Sequence, residues 1–227
     1  LTINIITSKI FIDNDYLLKA VIKIQIDPIR KNLISLCAPT LLGIKPSSIF
    51  TLRNISKSYL ESLIEYWNEY LNPRLYLRII KEKNDMFLIL VYNLEKLKNL
   101  LNKLECKNFL INCGYNCENL DCLFNTLTYK LKEDEFPHEI GLILGYPLDD
   151  VQAFIKEKGQ NYKLAGIWKV YGDVESAREN FNNYKACKNL LTSLTSKGVS
   201  LENIINYIKG ENNEKNCNCL LDWNWQY

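Results

Sequence analysis

One histidine, His138, stands among 227 residues, so a metal site built from several imidazoles is excluded. The chain has no G-x-G-x-x-G turn, no G-x4-G-K-[ST] loop and no G-x-S-x-G elbow. The phosphate cradles and the exposed serine that those spacings build are therefore without support. No run of eighteen apolar residues occurs, so a membrane partner is not expected. Charge of one sign is also missing: 28 basic residues face 26 acidic ones, for a net charge of +2. A protein that neutralises a phosphate backbone shows a basic excess or stripe, and nucleic acid is not expected as a partner. The N-terminal stretch lacks the basic n-region, compact apolar segment and small-residue cleavage site of a secretory signal. That points to the cytoplasm, where the eight cysteines are kept as thiols rather than disulfides.

What is present is an ordinary globular composition, 47% hydrophobic and 24% charged, on a chain long enough to bury a core. Residues 48–53 read as a strand. A helix is predicted over 54–72, with Leu60, Leu63, Ile64, Trp67, Tyr70 and Leu71 in one stripe and Ser58-x-x-Glu61 as a capping box. Two β-like runs, 74–81 and 86–93, flank the polar turn Glu82–Asp85 and predict a hairpin. The second run is apolar on both faces and is expected at the centre of a sheet.

One helix is predicted over 94–105, with Leu94, Leu97, Leu101 and Leu104 on its buried face. Further helices are predicted around 120–131, 138–145 and 147–158, from about Asp173 onward, and over 201–208, with a strand at 165–172. Gly145 suits the left-handed position after a helix, and Pro147 suits the first turn of the next. The order of elements predicts an α+β fold: a small, mostly antiparallel sheet covered by helices, with a helical C-terminal layer. No repeat or Gly/Ser linker divides it. We expect an N-terminal extension over 1–34, one composite domain over 35–210, and a tail over 211–227.

Two blocks, CAPTLLGIKPSSIF (37–50) and the FPHEIGLILGYPLDD stretch that begins at Phe136 and continues to Cys187, carry a resemblance. Together they resemble an uncharacterised domain family of unknown function from anaerobic Gram-positive bacteria, over roughly residues 35–208. The resemblance implies no established activity. The family pattern carries a histidine just before the cysteine that matches Cys37, where this chain has Leu36. It also carries cysteines near positions where this chain has Lys163, Leu164, Ala165 and Ile167. A metal or cluster site that depended on those groups would be missing here.

Several constellations remain. Cys37 paired with His138 would give a nucleophile and a base, with Glu139 or Asp150 to orient the ring. A helix start at His138 would keep the imidazole neutral. Alternatively, Cys37 is a buried structural thiol and His138 bonds locally.

Cys106, Cys113, Cys117 and Cys122 have spacings x6, x3 and x4, which do not match the close pairs of structural zinc. No metal site is expected, and no cofactor is identified. Lys45, Tyr146, Trp168, Lys169 and Tyr171 mix flat apolar faces with charge, which suits a planar or anionic small molecule. Plain strand alternation, with Trp168 in the core, explains part of the same pattern.

Three functional classes stay open. One is a binding module for a small ligand or cofactor, in a cleft between the CAPTL-GIKP block and the FPHEIG and WKVY blocks. Another is a thiol enzyme using Cys37 and His138. The third is a non-catalytic module with a protein partner, docking through the WNW tail.

Overall fold

The computed structural model of the chain describes residues 27–133 and 135–210. The tail with its WNW sequence and Cys217-x-Cys219, and residues 1–26, lie outside the described residues. The elements are α1 (Pro28–Ser35), α2 (Ala38–Leu41), β1 (Ser47–Arg53), α3 (Lys57–Leu71), β2 (Leu75–Lys83), β3 (Met86–Asn93), α4 (Leu94–Asn102), α5 (Leu104–Asn112), α6 (Leu120–Lys130), α7 (Ile140–Ile143), α8 (Leu148–Lys156), β4 (Leu164–Ala165), β5 (Lys169–Val170), α9 (Val174–Ser196) and α10 (Leu201–Gly210).

The fold is α+β, and its main sheet is antiparallel with order β1-β3-β2. β3 is central, as its two-sided apolar pattern predicts. Alternation along β3 divides the molecule in two. Phe87, Ile89 and Val91 enter one core with α1, α3, α9 and α10. Leu88 and Leu90 enter a second core with side chains from α4 through α8. Because side chains alternate across a strand, one apolar strand serves both layers.

The hairpin turn is tighter than the predicted four residues. Lys83 pairs with Met86, and only Asn84 and Asp85 turn, with φ of 48° and 56°. Positive φ at both central residues matches the twist of the flanking strands, and Asn and Asp tolerate it better than most residues.

Other local expectations are corrected. The helix predicted from 54 begins at Lys57, because Asn54 takes φ 56°. Its cap is Ser56, whose hydroxyl accepts from the Tyr59 N–H, rather than Ser58. The helix predicted over 94–105 is two helices, split where Lys103 takes an extended backbone. Leu104 thereby leaves the expected buried face and is 72% exposed. Residue 34 lies within α1, whose Ile29 and Leu33 are fully buried in the first core. The single strand predicted over 165–172 is instead a tight hairpin of two-residue strands, β4 against β5. Its burial still alternates, with Trp168 and Val170 inside and Ile167 outside. Among the described residues no helix is long and apolar enough to cross a membrane.

A cleft and a lysine groove on either side of one hairpin tip

The two sequence blocks meet through backbone as much as through side chains. Ser47 donates its hydroxyl to the Ile143 carbonyl at 2.7 Å. Gly145 has φ +82°, and a Cβ there would fall inside van der Waals contact with Pro46. Only glycine satisfies both demands, the left-handed backbone and the close approach. This junction seats α7 and the start of α8 against the loop that leads into β1.

Beside the junction lies a cleft of about 400 Å³, within the size range of small-molecule sites. Its walls come from the Phe136–Ile140 segment, from Tyr146 and α8, and from the tip of the β4–β5 hairpin. Aromatic rings dominate. Tyr146 stacks on Trp168 with centroids 5.1 Å apart. The exposed His138 lies edge-on to Phe154 at 5.0 Å and 6.0 Å from Phe136.

One buried carboxylate holds the hairpin in place. Asp150 accepts from Trp168 Nε1 at 2.7 Å and from the backbone N–H groups of Tyr171 and Gly172 at 2.8 Å each. A buried carboxylate is tolerated when its oxygens are filled in this way. Lys169 donates to the Gly159 carbonyl at 2.6 Å and lies over the Tyr162 ring, 4.7 Å from its centroid. It lines the cleft with its stem while its ammonium is engaged at the edge.

On the far side of the hairpin tip runs a second groove, of about 420 Å³, which shares Gly166 and Ile167 with the cleft. Gly166 is glycine because a Cβ there would overlap Phe181 of α9. Lys45 lines this groove and is 8% exposed. Its Nζ stands 5.3 Å from the Tyr146 ring centroid and 5.8 Å from that of Tyr184. Burial lowers the Lys45 ammonium from 10.5 to about 8, with the Cys37 sulfur opposing that shift.

The predicted site residues therefore separate. His138, Tyr146, Trp168 and Lys169 line the cleft. Lys45 lines the second groove, and Tyr171 lines neither, its N–H instead serving Asp150. Glu139 pairs with Lys130 at 3.2 Å, and Asp150 is occupied by the hairpin, so both carboxylates expected to orient His138 are engaged elsewhere. Cys37 is fully buried in the first core and lines neither cavity. Burial pushes its thiol up to about 12, although Lys45 pulls the other way. The one-turn helix that Cys37 opens is too short for its dipole to offset that burial. α7 is likewise a single turn, and it begins after His138. A protonated sulfur without access to either cavity is poorly placed as a nucleophile.

Cys106 and Cys117 are packed in the second core. Among the described residues no group of three or more His, Cys, Asp or Glu side chains is placed to hold a metal ion. Sequence reasoning missed Phe154, the anchoring role of Asp150, and the lysines of α9. Phe154 lies four residues after Asp150, a spacing that places both on one helical face.

A family model described as a protein of unknown function (DUF3793) matches residues 33–205. That span includes the walls of both cavities. No curated protein and no solved structure matches the chain.

Proposed function

The chain belongs to DUF3793, a family of proteins of unknown function that supplies no activity to transfer, and we propose from its own cleft that it binds a small, planar, largely apolar molecule. The observation that carries this reading is the aromatic lining: Trp168, Tyr146, Phe154, Phe136 and His138 around about 400 Å³. Flat rings in offset or edge-on contact suit another flat ring, each pair contributing about 0.5–1.5 kcal/mol beyond area burial. The polar groups deeper in the wall are already satisfied, since Asp150 holds the hairpin. His138 at the rim supplies the polar contact, donating or accepting one hydrogen bond at the ligand's edge. This is a binding reading, and it assigns no reaction.

The test is titration of the full chain with uncharged flat aromatics such as indole, naphthol and flavone, read by tryptophan emission. Saturable binding below about 1 mM is expected. The signal should be lost in Trp168→Phe, and affinity should fall in Phe154→Ala and in Ala165→Phe, which fills the cleft. If no probe saturates, or if Ala165→Phe leaves binding unchanged, the cleft is not a ligand site.

A further inference from the structure

Among the buried charged groups of the described residues, Asp27, Glu139 and Asp150 have hydrogen-bond or ion-pair partners, whereas Lys45 has neither. Its surroundings are two tyrosine ring faces and the Cys37 sulfur. Among the described residues, no carboxylate or hydrogen-bond acceptor is placed against its ammonium. Lysine is seldom buried without a paired anion, because desolvating the charge is costly. Ring faces return only part of that cost.

The charged residues that line the groove with Lys45 are all cationic. Lys185 and Lys188, three apart on one face of α9, also line it, and both are exposed. No aspartate or glutamate is among its lining residues. The remaining walls are Ser35, Leu36, Pro39, Phe181 and Tyr184, with the hairpin tip.

We propose that this groove is a second binding site, which takes an oxyanion group of a small molecule, a phosphate or a carboxylate, with Lys45 as the buried contact and Lys185 and Lys188 at the rim. A bound oxyanion supplies the partner that Lys45 lacks, through a charge-assisted hydrogen bond in partly desolvated surroundings. It would also restore the lowered ammonium toward its ordinary value. The rim lysines add attraction at longer range, which salt weakens. The proposal does not depend on occupancy of the aromatic cleft. The two sites share the hairpin tip, yet their linings differ in chemistry.

The probes are inorganic pyrophosphate and citrate, titrated into the full chain by calorimetry against sodium chloride at matched ionic strength. At least one is expected to bind saturably below about 1 mM. Lys185→Ala with Lys188→Ala, at exposed positions that leave the fold intact, should weaken it by about tenfold or more. Lys45→Met keeps the stem's volume and should abolish binding while leaving the aromatic probes' affinity in the cleft unchanged. Should Lys45→Met fail to fold, acylation of the wild-type protein near pH 8 replaces it, with the anion expected to protect Lys45 from modification. Absence of saturable binding beyond the chloride control would overturn the proposal. So would binding indifferent to the rim lysines, or Lys45 acylation that the anion does not slow.

Discussion

Trp168 and Asp150 are joined by a 2.7 Å hydrogen bond, from the indole Nε1 to one carboxylate oxygen, while the other oxygen accepts two backbone N–H groups. One side chain on α8 thus fixes both the ring in the cleft wall and the backbone that follows it. Asp150→Ala would leave three donors without their acceptor, and a loss of roughly 2–4 kcal/mol is expected. Asp150→Asn can keep one carbonyl oxygen toward the two backbone donors, but turns an NH₂ toward the indole N–H. It should cost less overall, yet still release Trp168. Urea unfolding gives the first number, and the tryptophan emission maximum reports the second.

Gly145 tests the junction of the two blocks. Gly145→Ala demands a left-handed backbone of a residue with a Cβ and presses that Cβ into Pro46. A destabilisation of about 2 kcal/mol or more is expected. Gly198 has φ +88° with open space around it, so Gly198→Ala should carry only the backbone part, about 1 kcal/mol. The difference between their thermal midpoints isolates the contact with Pro46.

The cysteines should react in order of access. Cys113 and Cys122 are half-buried, whereas Cys37, Cys106, Cys117 and Cys187 are buried. Iodoacetamide applied to the native protein at pH 8 and followed by peptide mass mapping should modify the first pair well before Cys37. Selective labelling of Cys37 would reverse the reading of that thiol as structural.

Acid sensitivity should trace in part to Glu202 on α10. Burial works against its carboxylate, but hydrogen bonds from Arg30, its own backbone N–H and Tyr66 hold it below the usual carboxylate value of 4.5. A carboxyl that is more acidic in the folded state adds stability above its unfolded value. That stability fades as pH falls through the folded value. Glu202→Gln should lower stability at pH 7 and flatten the decline below pH 4.5, as urea midpoints across pH 3–7 would show.

Alternation and helical periodicity determined the layers. β3 reads apolar on both faces, and it takes the centre of the sheet between the two cores. The α3 stripe and the left-handed Gly145 were legible for the same reason: period and backbone freedom are local properties. Tertiary structure alone decided where the chemistry lies. Nothing local to Cys37 announces its complete burial, and nothing local to Lys45 shows that it is buried without an acid. Both follow from α9 closing over the α1–α2 turn. Asp150, weighed as a partner for His138, became the anchor of a hairpin about twenty residues away, because a desolvated carboxylate takes whichever N–H donors the fold brings to it.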